Sequence, residues 1–142
     1  MRTINNLLQA ARKTDLHLII QNSLQDAAPI YTDELRTQML AGEMADGSQI
    51  GTYSPSYAKV RQARGLQIDH VDGYFSGDMH RGMFLDVRDD EMVTGSQVAY
   101  QPQFEHRYGP GSFILGGDNL QVYIREVEEN LQLGLQDALK PV

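Results

Sequence analysis

Cysteine is missing from this 142-residue sequence, and so is tryptophan. Without cysteine there is no disulfide framework, no thiol nucleophile and no thiolate metal site, and the composition fits a reducing compartment. The aromatic content is carried by seven Tyr and four Phe. No apolar run approaches the ~20 residues that span a bilayer. The opening MRTINNLLQAARKTD has neither a long apolar core nor a small-residue cleavage site, so no signal peptide and no membrane partner are predicted. These features predict a soluble chain made in the cytosol. Lysine is scarce: nine of the twelve basic residues are Arg, set against 19 acidic residues, for a net charge of −7. Such a chain repels phosphate backbones, which argues against nucleic acid as its main partner. Arginine favours protein contacts, because its planar fork binds carboxylates bidentately. HExxH, GxSxG, GxGxxG and Walker loops are all absent, so no cofactor is expected.

The length suits one domain over residues 1–142, large enough to bury a core without staples. Its parts read as a helical segment over 1–41, a long loop over 42–56, a helix plus antiparallel meander over 57–115, and a closing helix over 118–140. The class this predicts is α+β: a small antiparallel sheet of three to four strands packed on a long C-terminal helix, with helices at the N-terminus. Residues 4–13 place Ile4, Leu7, Leu8 and Ala11 on one face of a short amphipathic helix. Asp15 reads as an N-cap. Ile20, Leu24, Ala27, Tyr31, Leu35 and Met39 then recur every three or four residues. Pro29 interrupts this stripe, predicting either a kinked helix over 15–41 or two helices meeting near the proline. Thr32, Asp33 and Glu34 read as a cap and an acidic first turn. Gly42 supplies the stop.

Ser54-Pro55 predicts another helix start, with Ser at the N-cap and Pro at the first helical position. Met83, Leu85 and Val87 alternate as in a strand, Arg88 to Glu91 reads as a turn, Met92 to Thr94 as the return strand, and Val98-Ala99-Tyr100 as a third. Residues 101–108 suit one helical turn. Asp118 reads as an N-cap, and Leu120, Tyr123, Ile124, Val127, Leu131, Leu135 and Ala138 mark about six turns of helix ended by Pro141.

Chemistry concentrates in HVDGYFSGDMHRGMFLDVRDD, residues 70–90, with two His, five Asp and three Gly. His70 and Asp72, like Asp78 and His80, are two apart, and in a strand each pair shares a side. That pattern defines an alternative reading, a small metal-dependent hydrolase using His70, Asp72, Asp78 and His80. The three glycines and the Ser-Gly step favour turns over a regular strand, so no catalytic, metal or cofactor-binding residue is assigned. Glu105-His106 lacks the nucleophile or oriented partner that acid–base catalysis needs. Lys59, Arg61 and Arg64 form the one concentrated basic face. It reads either as a solvated helix side or as a complement to an acidic surface on a neighbouring copy. Tyr53, Tyr57, Lys59, Arg61, Arg64, Glu105 and Arg107 are the predicted interface residues.

Three segments together resemble the tail-completion and virion-morphogenesis proteins of tailed bacteriophages: GEMADGSQIGTYSPSYA (42–58), VDGYFSGDMHRGM (71–83) and FEHRYG (104–109). The resemblance covers roughly residues 30–115. Gly73 stands where an aliphatic residue is more usual in that family, and Ser76 where Thr is. The resemblance implies a structural virion protein rather than an enzyme, a subunit of the neck or upper tail that forms a ring, often of six copies. Its partners would be copies of itself and the neighbouring neck, portal-adaptor or tail-tube proteins. DNA would pass through the lumen only as cargo, and the acidic charge would keep it from sticking. Ser76-Gly77 would be the corner into the first hairpin strand, the His and Asp side chains would face solvent or a neighbour, and loop 42–56 would be a docking arm.

Overall fold

A computed structural model describes residues 4–89 and 91–140. The described residues form an α+β fold of seven α-helices and one two-stranded antiparallel sheet. Helix α1 spans Ile4–Lys13, α2 Leu16–Asp26, α3 Ala28–Leu40, α4 Pro55–Ala63 and α5 Asp78–Arg81. Strands β1 (Met83–Val87) and β2 (Met92–Ser96) follow, then α6 (Gln101–Tyr108), a 3-10 turn at Pro110–Phe113 and the long α7 (Gly117–Ala138). None of these helices is long and apolar enough to cross a membrane.

Local chemistry sets most boundaries. Asp15 caps α2 by accepting the Leu18 N–H at 3.1 Å. Pro29 divides the apolar stripe into two helices: it sits in the first turn of α3, where its missing N–H costs nothing. Thr32 is therefore inside α3 rather than its cap, and its hydroxyl donates back to the Pro29 carbonyl at 3.1 Å. Ser54 caps α4 through the Tyr57 N–H, with Pro55 at the first position, as expected. Asp118 lies in the first turn of α7, one residue past its start. The N-cap is Gly116, which has no side chain to bond, and Asp118 acts there through the helix dipole instead. Pro141 lies outside the described residues.

The core lies where α3, α7 and β1 meet. Ala27, Tyr31, Leu35 and Met39 are buried at helical spacing along α3. Tyr31 meets Tyr123 of α7 edge to face, with ring centroids 5.1 Å apart. The Tyr31 hydroxyl donates to the Phe113 carbonyl and accepts the Leu115 N–H, which satisfies a polar group in an apolar setting. Burial, with a smaller electrostatic contribution from the Tyr31 hydroxyl, raises the Tyr123 hydroxyl to about 12. On α7 the predicted stripe is only half-buried around Tyr123, and Ile20 at the start of the α2 stripe is exposed.

The sheet is smaller than expected. β1 and β2 pair from Met83↔Ser96 to Val87↔Met92; Asp90 of the intervening turn lies outside the described residues. A lone hairpin is marginal in water, and this one leans on α2 and α3. The Gln25 side chain runs along β1, donating to the Leu85 carbonyl at 3.1 Å and accepting the Val87 N–H at 2.8 Å. A helix side chain thus occupies backbone groups that a third strand would use. Val98-Ala99-Tyr100 is not that strand. The Gln101 side chain takes the Ser96 N–H at 2.5 Å, and the chain turns into α6, whose first turn holds Pro102. Residues 101–108 consequently make a two-turn helix.

The loop over 42–56 is not a free arm. Glu43 and Gln49 form an antiparallel bridge, Met44 N–H donates to the Ser48 carbonyl at 2.7 Å, and Ile50 is buried. A β-carbon at Gly116 would collide with the Ala45 backbone, so only glycine lets this hairpin seat against the start of α7.

Candidate functional site

Helix α4 is amphipathic in an unusual way. Its inward positions Ser54, Ala58 and Arg61 are spaced by four and three, and Arg61 is the fully buried one, at 1% exposure. The basic face predicted at 59–64 therefore splits: Lys59 and Arg64 are exposed, whereas Arg61 turns into the protein. Its Nε donates to the Gln67 carbonyl at 2.9 Å and Nη1 to the Tyr74 carbonyl at 2.5 Å. Nη2 reaches the buried Asp72 carboxylate at 3.2 Å, and the guanidinium lies 4.2 Å from the Tyr53 ring centroid. Burying two charges is costly, and the pair survives because nearly every donor and acceptor is used. Asp72 also accepts the Tyr53 hydroxyl at 2.8 Å, the Gln67 amide at 2.7 Å and the Tyr74 N–H at 2.9 Å. Burial pushes the Tyr53 hydroxyl well above the usual phenol range, and the Asp72 carboxylate adds to the effect.

This network accounts for the chemistry of segment 70–80. Gly73 has φ +67°, and a β-carbon there would meet the Met39 sulfur at 2.6 Å, so an aliphatic side chain would strain the backbone and displace Met39. Gly77, at φ +89°, precedes the short helix α5. The Ser76-Gly77 corner thus leads into a helical turn, with β1 starting only at Met83. These turns separate the residues of the metal reading. The His70 ring Nε2 bonds the Leu40 carbonyl at 2.7 Å, the buried His80 Nε2 donates to the Asp72 carbonyl at 2.8 Å, and Asp78 pairs with Arg81. Asp72 is occupied by Arg61. Among the described residues no three His, Asp or Glu side chains cluster as a metal site requires. Two of the four, Asp72 and His80, are buried rather than facing solvent or a neighbour.

His80 gives the network a pH dependence. Burial lowers its pKa below the ordinary histidine value, with a smaller pull from Arg36 and opposing contributions from the Asp72 carbonyl bond and the Asp72 charge. The unfolded chain therefore takes up a proton near pH 6.5 while the folded chain stays neutral. Stability from this group is complete above that pH and declines as the pH falls toward the lowered folded value. Thermal melts from pH 7.5 down to 5 are expected to show this loss, and His80→Gln is expected to flatten it. An unchanged slope in the variant would assign the loss to other groups.

Above the network lies an open cleft of about 450 Å³. Tyr53, Tyr57 and Arg61 border it from the α4 side, Tyr74, Phe75 and Met79 from the turn segment, and Tyr100, Phe104, Arg107 and Tyr108 from α6 and its cap. The aromatic rings brace one another: Tyr53 against Tyr57 at 5.3 Å, Tyr57 against Phe75 at 6.2 Å and Phe104 against Tyr108 at 4.8 Å. Arg64 stacks on Phe75 at 4.7 Å and Arg107 on Tyr108 at 5.6 Å. Tyr57, Tyr74 and Tyr100 remain exposed. Of the predicted interface residues, Tyr53, Tyr57, Arg61 and Arg107 converge on this cleft from distant parts of the chain. Arg64 braces its Phe75 border. Glu105 instead bonds Gln101 at 2.8 Å, and Lys59 is exposed outside the lining. Tyr74, Phe75 and Tyr100 were missed; their signal was the density of aromatics flanking the glycines.

Compared with protein-family models, curated proteins and solved structures, the chain matches none.

Proposed function

We propose that this chain is a structural virion protein of a tailed phage: a tail-completion or neck subunit that closes a ring at the head–tail junction or tail end. The observation that carries the proposal is the convergence of the three resemblance-bearing segments on one construction. YSPSYA starts α4 and delivers Arg61, VDG supplies Asp72, and FEHRYG supplies the opposite border of the cleft. Those residues are spent on building a rigid, aromatic, Arg-flanked surface. Tyr and Arg in well-packed pockets dominate protein–protein hot spots. Mechanism in this reading is assembly. Each subunit presents the cleft to a neighbouring virion component, heterologous contacts close the ring, and its net charge of −7 lets DNA pass through the lumen without adhering.

Disrupting the gene in the phage genome that encodes the chain tests this reading. The expected result is filled heads and tails that fail to join, or tails that never complete, seen by electron microscopy, with joining restored by the wild-type chain. Normal infectious particles in its absence would contradict the proposal.

A further inference from the structure

We infer that the aromatic cleft receives helix α1 of a neighbouring copy of this chain. The inference rests on reading the cleft as an assembly surface and names its occupant.

Helix α1 is amphipathic but buries none of its residues on its own body. Ile4 is 76% exposed, and Leu7 and Leu8 are also exposed. With Ala11 they occupy positions i, i+3, i+4 and i+7, the anchor spacing by which an amphipathic helix enters an apolar groove. Propensity alone holds a ten-residue helix poorly in water, so a partner for that face would supply the missing stability. The aromatic cleft offers complementary chemistry, with exposed Tyr57, Tyr74 and Tyr100 around an apolar interior.

In this fold a copy does not fill its own cleft, since α1 buries none of its residues. Ile19, near the root of α1, packs beside Gly134 toward the far end of α7. The cleft lies toward the opposite end, where Phe104 of α6 meets Phe113 just before α7 begins. Residues 116 to 134 of a helix span about 27 Å at ~1.5 Å per residue. Donor and acceptor therefore sit at opposite ends of one molecule, the arrangement that gives head-to-tail contacts and a closed ring.

Two variants of the full chain test this. Leu7→Asp/Leu8→Asp spoils the helix and leaves the cleft; Tyr57→Asp/Tyr100→Asp spoils the cleft and leaves the helix. All four positions are exposed, and circular dichroism checks that each variant keeps the fold. Sedimentation velocity at high micromolar concentration is expected to show oligomers for the wild type and monomers for each variant alone. Mixing the two variants is expected to restore a one-to-one dimer that grows no further, because only one intact helix and one intact cleft remain to meet. The inference is overturned by a wild-type chain that stays monomeric, by oligomers that survive Leu7→Asp/Leu8→Asp, or by a mixture that stays monomeric. Self-association kept by Tyr57→Asp/Tyr100→Asp would instead indicate helix-to-helix pairing and equally sink it. Rings that survive the helix variant would leave the virion reading standing; failure of the gene-disruption test would remove that reading itself.

Discussion

Arg61→Ala is expected to cost about 3–5 kcal/mol, the loss seen when one partner of a buried ion pair is removed. The variant strands the Asp72 carboxylate at 4% residue exposure and leaves the Gln67 and Tyr74 carbonyls without their arginine donor. Against a typical total stability of about 5–15 kcal/mol, a domain of this size would melt roughly 10 °C or more lower. Arg61→Lys is expected to recover only part of the loss, since one ammonium cannot reproduce a fork that reaches Gln67, Tyr74 and Asp72 at once. The double variant Arg61→Met/Asp72→Asn is expected to cost clearly less than the sum of its single changes, because neither partner is left charged and alone. Additive costs in that cycle would show that the two residues act separately. Calorimetry or urea unfolding checks each value.

Phe113→Ala is expected to cost a similar ~3–5 kcal/mol, as for a large aromatic removed from a core. Phe113 is 1% exposed, and its ring meets Phe104 of α6 edge to face at 5.9 Å. Its carbonyl, which accepts the Thr94 hydroxyl at 2.7 Å, survives the substitution. The main loss is therefore packing, and it falls on the seam between the core and the α6 border of the cleft. The same variant should accelerate amide exchange in 101–108 more than in α3. Uniform acceleration throughout would mean that α6 is not held through this ring.

The helical frame was legible because its signals are local. Ser54-Pro55, Asp15 and Pro29 act through backbone geometry within a turn, and the stripe from Ala27 to Met39 follows the helical period. The β1–β2 hairpin was readable from alternation. The absent third strand was not, because what replaces it is tertiary: Gln25 from α2 holds β1, and Gln101 takes the Ser96 N–H.

The site was half legible for a related reason. Tyr53, Tyr57 and Arg107 were readable as interface aromatics and cations, but burial of Arg61 was not. Lys59, Arg61 and Arg64 look alike in sequence, yet a helix turns about 100° per residue and sends Arg61 inward alongside Ala58. The available signal was that shared face, together with an acid in the VD segment. His70, Asp72, Asp78 and His80 do not converge, because same-side spacing applies to strands. The backbone there turns at Gly73 and Gly77, and each side chain meets a different partner.

A reconstruction of the intact tailed particle at side-chain resolution tests the account most directly. The prediction is a ring of this chain at the neck or tail end, with Tyr57, Tyr74 and Tyr100 of every copy covered by protein. A particle that lacks the chain, or a ring in which those tyrosines face open solvent, would contradict it.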